Sequence, residues 1–260
     1  VHDLSKWVIM QLNQGAYGSE SGRLISKQVQ HDLVTPQTLM PINTVPPYHS
    51  HFAAYGLGFR LSDVKGYLEV SHTGGINGMV TQITMYPELQ LGIIVLTNQQ
   101  VASAFAAITN QIKDSYLGIS GNDWVALLSE RLKAGNSQAD QVVKQVSDEI
   151  ARQQASGYRP DAGLFTGTYR DPWLGDVYIE QKDNRLWFRS KRSPGLAGEL
   201  FYYKGQTFVV RWNNRSFDAD AFVLFQSGFD GKAIGIRMKA LSPLTDFSYD
   251  FQDLDFKKVQ

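Results

Sequence analysis

The run Gly66-Tyr67-Leu68-Glu69-Val70-Ser71-His72-Thr73-Gly74-Gly75 decides how the chain is read. Leu68 and Val70 fall on one face and Tyr67 and Glu69 on the other, which is the two-residue period of a strand. Two glycines then follow directly. A Cβ at either position would obstruct anything lying along the backbone, so the end of this strand reads as the wall of an active site.

Working outward, Tyr55-Gly56-Leu57-Gly58-Phe59-Arg60 reads as one preceding strand and Ser62-Asp63-Val64-Lys65-Gly66 as the turn between the two. Met79 to Tyr86 continues as a strand, and Pro87-Glu88-Leu89-Gln90 turns the chain. The run Leu91 to Thr97 is apolar at alternate and intervening positions alike, as in a central strand covered on both faces. A helix is expected from about Val101 to Tyr116, with Phe105, Ile108, Ile112 and Tyr116 as its apolar stripe. Upstream, Asp3 to about Asn13 reads as a helix capped by Asp3, with Leu4, Trp7, Val8 and Leu12 on one side. A shorter helix begins at Ser26 and ends before Pro36. Four prolines make the stretch from Thr35 to Phe52 irregular.

This order of elements, with His72-Thr73-Gly74 at the end of its strand, resembles the C-terminal part of the serine β-lactamase and penicillin-binding protein superfamily. The likeness is nearest to the class C-like, esterase-like branch, in which a His-x-Gly triplet replaces Lys-Thr-Gly. It covers Val1 to Gly118. The resemblance implies that Gly75 donates its backbone N–H as one half of an oxyanion hole, a donor whose loss costs roughly 3–4 kcal/mol in other enzymes. It implies that His72 stands where the family has lysine, with a charge that depends on pH. Thr73 would offer its hydroxyl to a substrate carboxylate or carbonyl, beside Gly74. A peptide or small-molecule acyl compound is then the expected substrate, with no cofactor.

The family's nucleophile, the serine of a helical Ser-x-x-Lys, has no counterpart here. Ser62-Asp63-Val64-Lys65 fits the pattern literally but is expected in a turn, where serine and lysine do not share a helical face. Tyr-x-Asn, the second family signature, does not occur. The chain also starts without Met inside a helix, so the expectation is a C-terminal fragment whose catalytic upstream half is elsewhere. That half, or a second copy, is expected against the apolar strand 91–97, because an uncovered strand edge is sticky.

Other features limit the function. A formal net charge of +0 argues against a nucleic-acid partner held through phosphates. No apolar run approaches the ~18 residues of a membrane span. The absence of cysteine excludes disulfides and thiolate metal sites. All five histidines lie in the first 72 residues, and His49-Ser50-His51 has a spacing that metals use, yet no acidic residue is close in sequence and no metal is expected. A periplasmic or secreted location follows from the resemblance alone.

After residue 118 the character changes. Residues 119–160 read as a helical connector of two helices broken at Gly135-Asn136, the first with Trp124, Leu127, Leu128 and Leu132 inward, the second with Ala139, Val142, Val143, Val146 and Ile150. Residues 161–260 hold about eight short β-rich runs, the last from Phe247 to Phe256, separated by tight turns such as Lys182-Asp183-Asn184 and Asp230-Gly231. Closure into a small barrel removes the exposed edges. This half also resembles the lipocalin-like β-domain appended to many β-lactamase-like hydrolases. The fold class is therefore α+β: an antiparallel sheet with packed helices in 1–118, the connector, and an eight-stranded antiparallel barrel. Trp173, Trp187, Trp212, Tyr178, Tyr202 and Tyr203 either pack the barrel or line a pocket for a small hydrophobic or peptide ligand, and the second case makes the chain a binding module.

Overall fold

The computed structural model describes residues 1–18, 22–42, 47–76 and 78–259. Part of the proline-rich stretch, residues 43–46, therefore lies outside the described residues. The chain forms two compact units, Val1–Leu132 and Lys133–Gln260.

The first unit is a six-stranded antiparallel sheet in strict sequence order: β1 (Thr38–Leu39), β2 (Ala53–Tyr55), β3 (Arg60–Val64), β4 (Tyr67–Ile76), β5 (Met79–Tyr86) and β6 (Leu91–Leu96). Each face is covered by helix. Val8 of α1 (His2–Leu12) packs with Ala54, Phe59, Leu61, Val70 and Met85 on one side. Phe105 and Leu117 of α3 (Ala102–Leu117) pack with Val64, Val80, Tyr86, Leu91, Ile93 and Val95 on the other. The contact with α1 is close enough that a Cβ at Gly92 would sit 2.4 Å from Val8 Cγ1. A glycine is needed there because no side chain fits between helix and strand. The short α2 (Lys27–Leu33) starts as its sequence suggests, with Ser26 Oγ accepting from the Val29 N–H at 3.1 Å.

Several local expectations change. Tyr55 to Arg60 is a turn between β2 and β3 rather than one strand: the Gly56 N–H donates to the Phe59 carbonyl at 2.8 Å, and Gly58 takes φ +94°. Asp3 lies in the first turn of α1, which is capped at Val1. The strand at 91–96 is covered on both faces, but it pairs only with β5 and so forms the sheet edge among the described residues. On α3 the buried stripe is Phe105, Thr109, Lys113 and Leu117, whereas Ile108 and Tyr116 are exposed. Two polar side chains displaced two apolar ones because they have partners on the sheet.

The second unit is a closed eight-stranded barrel. Its strands are β7 (Gly167–Asp171), β8 (Gly175–Lys182), β9 (Arg185–Ser190), β10 (Ala197–Lys204), β11 (Thr207–Trp212), β12 (Ala221–Ser227), β13 (Ala233–Ala240) and β14 (Asp255–Lys258). Each pairs antiparallel with the next, and β14 returns to β7. The last strand is much shorter than the run from Phe247 suggests, because two 3-10 turns occupy 247–253 and Phe251 is used to plug the core. Trp212, Tyr169, Phe188, Phe208, Phe225 and Phe256 fill the interior almost without exposure. Their polar tips are satisfied inside: Tyr169 Oη donates to the Phe165 carbonyl and Trp212 Nε1 to the Ala219 carbonyl, both at 2.6 Å.

In chain order a single helix, α4 (Trp124–Ala155), of 32 residues follows α3 and precedes the barrel strands. Gly135-Asn136 does not break it. A helical glycine costs only about 1 kcal/mol against alanine, and the adjoining turns are rich in helix-forming residues such as Ala134, Gln138 and Ala139. Its second half carries the expected stripe, with Val146 and Ile150 packed on Val209 and Leu241 of the barrel unit.

Candidate functional site

The His72-Thr73-Gly74-Gly75 segment forms the outer half of β4, beyond the point where β3 stops. The β3 ladder ends at the pair Arg60↔Ser71, while β5 follows β4 through Ile76↔Met79. From His72 to Ile76 one edge of the strand is therefore bonded and the other has no strand beside it among the described residues. All five residues are exposed.

Which backbone groups face the open edge follows from hydrogen-bond parity. The Thr97 N–H donates to the Val80 carbonyl at 3.1 Å, so Val80 directs its polar groups toward the β6 side. In an antiparallel ladder, facing residues alternate between exchanging both hydrogen bonds and exchanging none. Gly75 faces Val80, so its N–H and carbonyl point away from β5. Thr73 shares that parity, whereas His72 and Gly74 bond to β5. The β2 side agrees: the Gly56–Phe59 bond turns Phe59 and Leu61 toward β2, leaving Arg60 to bond Ser71.

Side-chain space differs between the two glycines. A Cβ on Gly74 would lie 2.7 Å from Thr81 Oγ1, while one on Gly75 would meet only Val80 Cγ1 at 3.9 Å. Crowding inside this chain therefore accounts for the first glycine and not for the second. His72 does not stand alone: its Nε2 lies 2.8 Å from Tyr55 Oη, with the rings edge to face. Tyr55 is a site neighbour that sequence spacing gave no sign of, since pairing β2 with β3 and β3 with β4 is what brings it beside His72.

Behind this strand the α3 face of the sheet is polar and largely buried. Glu69 and Lys113 pair at 3.1 Å with side chains 16% and 8% exposed, and Tyr86 Oη also donates to Glu69. Lys113 Nζ stands 3.7 Å above the Tyr48 ring. Asp114 accepts from Tyr48 Oη at 2.7 Å, Asn122 Nδ2 at 2.9 Å and Trp124 Nε1 at 2.7 Å. Burial, together with the Asp114 and Glu69 carboxylates, pushes the Tyr48 and Tyr86 hydroxyls far above their ordinary range, so both remain neutral donors. Thr109 Oγ1 donates to Gln82 Oε1 at 3.2 Å. The signal for this face was present in the sequence as Phe105, Thr109, Lys113 and Leu117 at four-residue spacing. A small cavity of 230 Å3 opens on the same side, with Tyr48, Ser50, Ser62, Glu69, Ser71 and Lys113 in its wall, and does not extend to His72 or the glycine pair.

The literal Ser-x-x-Lys is resolved by geometry. Ser62, Asp63 and Val64 belong to β3 and only Lys65 to the turn. Lys65 Nζ donates to the Leu117 carbonyl at 2.8 Å, closing the C-terminus of α3. Ser62 lies in a strand and Lys65 in a turn with its Nζ engaged at Leu117, so the two are not held together on one helical face as a Ser-x-x-Lys pair requires. His51 does have an acidic partner, contrary to its sequence neighbourhood: Asp63 lies 2.7 Å from its Nδ1 and also accepts the His51 and Phe52 backbone N–H groups. Burial raises the Asp63 carboxyl, but those three hydrogen bonds outweigh it and hold the group below its usual value. No group of three or more His, Cys, Asp or Glu converges on a metal position among the described residues.

Residues 1–116 match the β-lactamase family, and residues 162–258 match a domain of unknown function (DUF3471). Two curated relatives are the Unguisins hydrolase ungD of Aspergillus violaceofuscus, 30% identical over 47% of this chain, and the Unguisins hydrolase ungD' of Aspergillus campestris, 24% identical over 77%. The chain spans 23% and 40% of their lengths. The octameric penicillin-binding protein homologue from Pyrococcus abyssi aligns with 99% of this chain and 46% of its own, at 15% identity and a TM-score of 0.38.

Proposed function

We propose that this is part of a β-lactamase-like hydrolase, as the match of residues 1–116 to the β-lactamase family supports, and that β4 is one wall of a serine acyl-transfer site acting on an ester, amide or β-lactam carbonyl. The observation that carries this is the direction of the Gly75 N–H, set by its pairing with Val80, into an edge that no strand covers among the described residues. An oxyanion forming there meets a donor already aimed and held by the sheet, which is how electrostatic preorganisation lowers a barrier. The open space around Gly75 leaves room for the acyl group to lie along the strand. Thr73 points its N–H into the same edge and offers a hydroxyl to the substrate. His72, oriented by Tyr55, supplies a hydrogen bond in place of the family's lysine.

The attacking serine is not Ser62, whose lysine is engaged at Leu117. In this reading the nucleophile, its lysine and the tyrosine base belong to an upstream part of the same protein. That part also supplies a strand to the outer edge of β6. The purified chain is then expected to leave nitrocefin and a p-nitrophenyl ester unhydrolysed above the buffer rate. Turnover that survives Ser62→Ala would refute the assignment, and turnover lost only in Ser62→Ala would return the nucleophile to β3. Size-exclusion chromatography checks the β6 edge: self-association, relieved by a charge at Leu96, is expected, and a clean monomer with slowly exchanging amides throughout β6 would rule the edge out as an interface.

A further inference from the structure

The barrel interior is full, so a ligand has no room along its axis, and five of the six aromatics that sequence alone would put in such a pocket lie elsewhere: Trp212 is core, Trp173 is 58% exposed, Trp187 alternates with the inward-facing Leu186 and Phe188, and Tyr178 and Tyr203 lie under Arg189 and Lys204. A cavity of 730 Å3 nevertheless exists in this unit, between one end of the barrel and the segment that leaves α4. Its volume falls within the range of small-ligand sites.

We propose that this cavity binds the C-terminal end of a short peptide whose last side chain is apolar or aromatic. The apolar part of the wall is Leu200, Phe208 and Tyr202, with Tyr158 packed on Tyr202 at 5.2 Å between ring centres, so that the two rings and the barrel end present one continuous apolar surface to a side chain. The lining also holds four carboxamides, Gln153, Gln154, Gln181 and Asn184. Each carries donors and an acceptor, the complement of a peptide group, and Gln153 uses only its amide nitrogen, on Glu149 at 2.8 Å. Two guanidinium groups reach the rim. Arg185 is held by Glu199 at 3.0 Å, which leaves Arg159 as the cation available to an incoming carboxylate among the described residues. A guanidinium binds a carboxylate through paired, charge-assisted hydrogen bonds. The lining thus holds a partner for each chemistry of a peptide end: carboxylate, peptide group and apolar side chain. The inference is independent of the acyl-transfer reading, because every residue in it belongs to the barrel unit.

The test uses the intact chain labelled with 15N and three probes: N-acetyl-Ala-Phe, its C-terminal amide, and N-acetyl-Ala-Ala. N-acetyl-Ala-Phe should shift the amide signals of Tyr158, Leu200 and Tyr202 saturably. The amide and the Ala-Ala probe should each bind about tenfold more weakly or worse. Arg159→Ala should bring acid and amide to equal affinity, and Tyr158→Ala should remove the preference for Phe over Ala. Both positions are exposed, so melting temperatures should stay unchanged. Shifts that are absent up to millimolar probe, that map outside the cavity, or that are equal for acid and amide in the unsubstituted chain would overturn the proposal.

Discussion

The two units meet the problem of strand edges in opposite ways. In the barrel, β14 returns to β7 and every strand has two neighbours, so the aromatic interior is sealed by the chain itself. In the sheet, β6 and the outer half of β4 each keep one edge without a strand among the described residues, and the segment bearing His72 and the glycines is exposed. Their interiors differ accordingly. The barrel core is almost purely apolar, whereas the α3 face of the sheet buries Glu69, Lys113, Asp114 and Thr109 as paired groups. A closed surface is built for stability, and an open one leaves polar backbone where another molecule can use it.

The contrast is first tested by cutting into each interior. Trp212→Ala removes a ring packed at 5.5 Å from Phe188 and 6.2 Å from Phe251, and should cost the barrel about 3–5 kcal/mol in urea unfolding. In the sheet the comparable loss should come from a charge. Lys113→Met leaves Glu69 buried without its cation and should cost about 3 kcal/mol or more. Adding Glu69→Gln to that variant should recover part of the loss, which a purely steric role for Lys113 would not allow.

A smaller effect sharpens the account of barrel closure. The β14–β7 ladder has only two register pairs, and Asp171 extends it by accepting the Asp255 N–H at 2.9 Å while also holding the Trp173 and Leu174 N–H groups. Burial raises this carboxyl, but the three backbone donors outweigh burial and keep it below its usual value. Its folded value being the lower one, the stabilisation is complete above the unfolded value of about 3.9 and is lost as pH falls through the folded value. Asp171→Asn should therefore cost about 1–2 kcal/mol at pH 7, with the difference closing below about pH 4. A pH-independent difference would assign the loss to packing instead.

The smallest expected effect separates the two glycines. Gly74→Ala must displace Thr81 Oγ1 and should cost about 1 kcal/mol, while Gly75→Ala meets open space and should stay within about 0.5 kcal/mol. Equal costs would mean that the second glycine also serves the fold.

Much of this was legible because periodicity reports burial. The alternation at Tyr67 to Val70, the doubly apolar run at 91–96, the turns at Asp183-Asn184 and Asp230-Gly231 and the eight barrel strands all follow from it. What periodicity misreads is buried polarity. On α3 it favoured Ile108 and Tyr116 over Thr109 and Lys113, because the sheet partners Gln82 and Glu69 are invisible in a local window. Asp63 beside His51 and Tyr55 beside His72 were hidden for the same reason: strand register, not sequence distance, joins them. The glycine pair was read from its motif, but the edge its N–H faces needed the ladder on both sides.

Amide hydrogen exchange along β4 in the isolated chain tests the assigned donor most directly. Strand parity predicts slow exchange at His72 and Gly74, bonded to β5, and fast exchange at Thr73 and Gly75, directed outward. Protection of Gly75 equal to that of Gly74, or the reverse alternation, would place its N–H in the sheet and leave the proposed site without its oxyanion donor.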